Sequence, residues 1–234
     1  MFDLINKFGF SEFVIDKTYY ANFFLWYAPL LIIQAVLGVT IYKHFCTASV
    51  YYFTRVNNRI RWWLKECMHL YVKVLLCIVS IIMLSNFWEF ISGEYIIDAE
   101  GVWLLLYYIA IFSLWEFSAV CTINILSIII GSYYAYAFMA LTQIILVMAF
   151  LPIGDKIFNN NILLKVNPIS HLILYWHSSI VPTLNEKINL KGTSFDLNES
   201  IIYMTILSVI IIFFGAIVIK EKEFICLDKE GGNN

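Results

Sequence analysis

Few side chains in this sequence are equipped for chemistry, and their spacing excludes most of it. His44, His69, His171 and His177 lie far apart or out of phase, and none forms the H-x-x-x-H pair that sets two metal ligands on one helix face. Cys46, Cys67, Cys77, Cys121 and Cys226 include no C-x-x-C pair, so they read as reduced or lipid-facing thiols rather than zinc ligands or a disulfide framework. No G-x-x-x-x-G-K-[ST] phosphate cradle, G-x-S-x-G nucleophile elbow or H-E-x-x-H zinc helix occurs. The chain is expected to be no enzyme, to bind no cofactor itself, and to carry its histidines at surfaces or interfaces.

Two charged residues stand out because their neighbours are apolar. Glu116 is the sole Asp, Glu, Lys or Arg between residues 102 and 151, and a carboxylate left ionised in hydrocarbon costs roughly 2.5 to 3.5 kcal/mol or more. It could line a cavity, carry protons, or stay protonated and bond a neighbouring helix; the last, structural role is the favoured one. Lys73 sits about one turn inside an apolar run, where its long stem lets the ammonium snorkel to the headgroups.

The elements that must position these groups follow from composition. Of 234 residues, 61% are hydrophobic and 14% charged, far from the roughly 45 to 50% apolar usage of soluble domains, so an all-α polytopic membrane protein is expected. A net charge of −2 gives no basic surplus for nucleic acid. A bilayer core of about 30 Å needs about 20 apolar residues per helix. That length predicts five spans: residues 22–42, with Pro29 inside, 69–89, two within 102–151 reversing between Thr122 and Tyr134, and 201–219. The run "ISHLILYWHSSIV", bracketed by Pro168 and Pro182, is too short to cross and predicts an external, broken or re-entrant helix pair over 155–185. Residues 1–21 lack the basic start and apolar run of a signal peptide and read as an interfacial lead-in.

Charge sorting orients the spans. Residues 43–69 carry Lys43, Arg55, Arg59, Arg61 and Lys65 against Glu66 alone, whereas 89–100 carry Glu89, Glu94, Asp98 and Glu100 without a base. The positive-inside rule puts the first loop in the cytoplasm and the second outside, so the N-terminus is expected outside and the tail, 221–234, inside.

The basic loop contains the stretch "YYFTRVNNRIRWWLKE". Drawn as a helix over 51–67, it places Tyr52, Phe53, Val56, Ile60, Trp63, Leu64 and Cys67 on one stripe and Arg55, Asn57, Asn58, Arg59, Arg61, Lys65 and Glu66 opposite, with Trp62 out of place. Arg55 with Arg59, and Arg61 with Lys65, are like pairs at i,i+4 that repel by a few tenths of a kcal/mol. An anionic headgroup layer would offset that repulsion, and so would a docked cytoplasmic protein, since Arg and Trp dominate interface energetics.

The run from "YAPLL" through "YYFTRVNNRIRWWLKE" into the next span resembles the membrane subunits of ABC-2-type exporters, especially the small permeases of Gram-positive bacteria. A cytoplasmic amphipathic helix, further spans, a broken external pair containing Asn167 and Pro168, and a last span leading inside are similar to that family's order. The family usually has six spans, and residues 1–21 stand where the first would be. The resemblance implies a multi-pass permease of a bacterial cell membrane that pairs with a second permease subunit and docks a separate ATP-binding-cassette ATPase, which would hold the ATP and magnesium. It also implies that 51–67 is the coupling helix, with Arg55, Arg59, Arg61, Trp62, Trp63, Lys65 and Glu66 as its contact residues. Hydrophobic or antimicrobial peptides are the expected substrates, which Tyr175 and Trp176 could touch on their way out, although headgroup anchoring explains those aromatics equally well. The alternative is a stand-alone membrane immunity or scaffold protein that binds a peptide or partner without transport.

Overall fold

In hydrocarbon no water is at hand for a backbone N–H or C=O, so apolar runs of this length close their hydrogen bonds internally as helices. The computed structural model describes residues 17–51, 58–92, 99–148, 161–179, 182–188 and 196–222, and they are almost wholly helical, with no strand among them. In chain order the helices are α1 (Lys17–Leu37), α2 (Thr40–Tyr51), α3 (Arg59–Ser92), α4 (Ala99–Ile130), α5 (Ser132–Met148), α6 (Asn161–Val166), α7 (Pro182–Ile188) and α8 (Leu197–Glu221). Two 3-10 turns, Ser170–Leu172 and Leu174–Trp176, lie between α6 and α7.

Four stretches are long and apolar enough to cross a bilayer: Tyr27–Thr47, Arg59–Leu84, Gly101–Ile130 and Leu197–Glu221. The apolar helix Ser132–Met148 is shorter, at 17 residues or about 25 Å. The expected reversal within 102–151 falls at Gly131, whose φ of +92° is a left-handed conformation that glycine adopts without steric cost. Its amide donates to the Ser127 carbonyl, closing α4 as the chain turns back.

Side-chain pairings fix the relative directions. Tyr27 meets Trp115, Gln34 meets Glu116 and Ile41 meets Asn124, so α1 and α2 run the same way as α4. After the turn at Gly131, Gln143 comes back beside Gln34 and so level with Glu116, which makes α5 antiparallel to α4. Along α8, Asn198 faces Tyr107 and Ser208 faces Ser118, parallel to α4. Arg59 reaches Lys222 and Trp63 reaches Ile212, so α3 opposes α8. Helix α4 packs against α1, α2, α3, α5 and α8. Its apolar window is 67% buried by the rest of the chain, against 17% for α8, so α4 forms the core of the bundle and α8 an outer wall.

Two details depart from the expected layout. The first span continues as one helix through Pro29 and breaks at Gly38 and Val39, between α1 and α2. Of the helix expected over 51–67, residues 52–57, with Arg55, lie outside the described residues, and Arg59 to Cys67 are continuous with the span as the first turns of the 34-residue α3. The reason is a single stripe. Trp63, Cys67, Leu70, Val74, Ile78 and Ile82 are all buried, at steps of three and four, so one apolar face runs unbroken from the basic turns into the span.

Candidate functional site

At one end of the bundle the start of α3 gathers cations. Asn58 Oδ1 accepts from the Arg61 amide, capping α3. Arg61 and Lys65 are exposed, as are Lys43 and His44 on α2 and Lys220 and Lys222 at the end of α8. Arg59 Nη1 donates to the Lys222 carbonyl at 2.7 Å, tying α3 to α8, and His44 Nδ1 lies 3.0 Å from Glu66 Oε2, tying α2 to α3. Trp63 does not face outward; its side chain is fully buried, and its indole N–H donates to the Ile212 carbonyl at 2.9 Å. The ring lies against Gly215, where an added Cβ would overlap Trp63 Cζ2, so the α3–α8 crossing depends on glycine's missing side chain. Trp62 is partly buried against Phe45, with ring centroids 6.0 Å apart. Of the expected contact residues, then, Arg61 and Lys65 are exposed, whereas Arg59, Trp63 and Glu66 hold the helix ends together.

Halfway along the bundle a polar layer spans three helices. Gln143 Nε2 of α5 donates to Gln34 Oε1 of α1 at 2.9 Å, and Gln34 Nε2 donates to Glu116 Oε2 of α4 at 3.1 Å. Trp115 Nε1 donates to the Tyr27 hydroxyl at 2.7 Å beside it. All five side chains are buried, and neither Glu116 Oε1 nor Gln143 Oε1 has a hydrogen-bond partner among the described residues. Lys73, by contrast, is exposed on the outer face of α3. Nearer the basic end Asn124 bridges the break between α1 and α2. Its Oδ1 accepts from the Ile41 and Tyr42 amides, and its Nδ2 donates to the Leu37 and Val120 carbonyls.

The opposite end is closed by the short elements between α5 and α8. Asn167 Nδ2 donates to the Leu146 carbonyl, and its Oδ1 accepts from the Ile169 amide, fastening the segment to the end of α5. His171 and His177 are buried rather than at a surface, each within hydrogen-bond distance of the Ser200 hydroxyl. The physical reason is the apolar run around them: Ile169, Leu172, Ile173, Leu174 and Trp176 are all buried, and the imidazoles go in with them. Trp176, expected as a substrate contact, is 1% exposed and belongs to this core; the Tyr175 side chain lies outside the described ones.

Gln34, Gln143, Asn124 and Ser200 carry much of this geometry and were not singled out by charge or motif. For Gln34, Asn124 and Gln143 the signal is an uncharged polar residue inside an apolar run, as in "LLIIQAV", "CTINIL" and "LTQIIL"; Ser200, beside Asn198 and Glu199, carries no such signal. Among the described residues no three His, Cys, Asp or Glu side chains converge as a metal set would. No family model matches the chain, and neither a curated protein nor a solved structure is similar to it.

Proposed function

We propose that the chain is the membrane subunit of an ATP-driven exporter of the ABC-2 type, forming the substrate path while a separate ATPase supplies the energy. The observation that carries this reading is the start of α3: exposed Arg61 and Lys65 stand on the first turns of a helix about 51 Å long, which outruns a bilayer core of about 30 Å. A partner pressing on those turns would move the whole α3 stripe against α4 and α8, with no joint in between to absorb the motion. Such motion is the kind of rigid-body rocking that shifts a population between inward-open and outward-open states. On this reading the chain has five crossings, with α5 the shortest, pairs with a second permease subunit, and lies in a bacterial cell membrane with the basic end inside. ATP and magnesium are held by the partner, and the cargo is a hydrophobic or antimicrobial peptide.

The test is recovery of an ATPase with a phosphate-binding loop when the tagged chain is purified from its own membranes in mild detergent. Arg61→Glu combined with Lys65→Glu should reduce that recovery several-fold with the bundle still folded, because inverting charges at an interface is costly. If the bases only attract headgroups, each contributes about 1 kcal/mol of membrane attraction and recovery is unchanged. An intact wild-type chain that retains no ATPase would favour a stand-alone immunity or scaffold protein instead.

A further inference from the structure

At the end of the bundle opposite the basic one, two buried histidines share one hydroxyl, and their protons do not balance when both rings are neutral. His171 Nε2 lies 3.1 Å from the Lys165 carbonyl oxygen, and His177 Nδ1 lies 2.9 Å from that of Ile173. A carbonyl only accepts, so each of these nitrogens bears a proton, and in a neutral ring the other nitrogen is a bare acceptor. Those acceptors, His171 Nδ1 and His177 Nε2, both face Ser200 Oγ, at 2.9 and 2.7 Å. A hydroxyl has one proton to give. Whichever ring receives it, the other contact sets lone pair against lone pair.

One added proton removes the conflict. With His171 charged, its Nδ1–H donates to Ser200 Oγ, the Ser200 O–H donates to His177 Nε2, and His177 Nδ1–H still donates to Ile173. We propose that His171, Ser200 and His177 form a proton-binding site that takes up a single proton between its two rings, held on His171 and passed on as a hydrogen bond through the Ser200 hydroxyl. His171 is the better seat of the charge. It stacks on Tyr203 with centroids 4.1 Å apart and planes at 11°, a geometry that suits a cation over a ring, and it feels the negative charge of Glu199.

Among the described side chains, the other titratable or charged groups on the elements packed around the pair are few. Helix α8 contributes Asp196 at its cap, Glu199 and Tyr203, and α6 contributes Lys165, whose ammonium pairs with Glu199 at 2.9 Å. Helix α4 contributes Tyr107, which donates to Asn198, and buried Tyr108; α7 contributes exposed Glu186. Burial opposes the proton, pulling His171 down to about 4 and His177 to about 3, the latter further depressed by charge on His171. The hydrogen-bond chain works the other way, raising the first proton's midpoint above what burial alone would set, while the first charge resists a second.

The experiment is an imidazole nitrogen NMR titration of the full chain, labelled at histidine and held in lipid nanodiscs, with His44→Gln and His69→Gln to leave two rings. At pH 8 the rings should show opposite tautomers, Nε2–H for His171 and Nδ1–H for His177. On acidification one ring should become imidazolium well before the other. Ser200→Ala should lower that midpoint by about one pH unit, a tenfold loss of proton affinity, and Ser200→Thr should restore it. Identical tautomers, two rings titrating together near the ordinary value of about 6.5, or a midpoint unmoved by Ser200→Ala would overturn the proposal. If the alanine variant does not fold, the tautomers and the separation of the two steps in the parent protein decide the matter.

Discussion

Glu116 shows what one buried side chain demands of its neighbours. Gln34 Nε2 donates to one carboxyl oxygen, and Gln143 holds Gln34 in turn, so three helices are joined by two hydrogen bonds in the middle of an apolar bundle. An amide can take the place of a neutral carboxyl in that chain, because its carbonyl accepts from Gln34 just as the carboxyl oxygen does. Glu116→Gln should therefore fold and assemble normally, whereas Glu116→Leu leaves a buried donor without an acceptor and should cost about 1 to 3 kcal/mol. Thermal unfolding of both variants in the same detergent checks this. Glu116→Gln folding well but abolishing function would assign the carboxyl an ionised or proton-carrying role instead. The sequence makes Glu116 conspicuous because it is the one charge in its run, but it conceals the two glutamines, which differ little in hydropathy pattern from other isolated polar residues and become a layer only once α1, α4 and α5 are side by side.

At the scale of elements, the most telling feature is a helix break repaired from a neighbouring helix. Where α1 ends and α2 begins, backbone groups lose their usual partners, and in hydrocarbon each such group costs several kcal/mol if left alone. Asn124 of α4 serves both sides of the break, accepting from Ile41 and Tyr42 and donating to Leu37. Asn124→Leu should destabilise the bundle by about 2 to 4 kcal/mol, two or more buried groups losing their partner at once. Hydrogen exchange at the Ile41 and Tyr42 amides should speed up most. Equal exchange in the variant would mean that the break closes its own hydrogen bonds. This break was not legible in the sequence, where Pro29 is the evident helix breaker; a proline in a span can be accommodated, and here it is. The reversal at Gly131 was legible, because length alone decides how much apolar chain a bilayer takes up. The continuity of α3 from Arg59 into the span was not legible, for an instructive reason. The change from basic to apolar composition between Lys65 and Leu70 looks like a boundary, yet the buried stripe through Trp63, Cys67 and Leu70 keeps its phase across it.

For the whole molecule, the arrangement has two unlike ends. One collects Lys43, Arg61, Lys65, Lys220 and Lys222 on exposed positions; the other is covered by short elements fastened to α5 and α8. The exporter reading requires that the basic end lie in the cytoplasm, where ATP is, and the measurement that tests this most directly is sidedness. Single cysteines at Asn198 and Lys222, both exposed and at opposite ends, are introduced into a chain whose native cysteines have been replaced, and intact cells are treated with a membrane-impermeant maleimide. The account predicts that position 198 labels in intact cells and that position 222 labels only after the membrane is opened. Labelling of position 222 from outside, or of both positions from the same side, would contradict it.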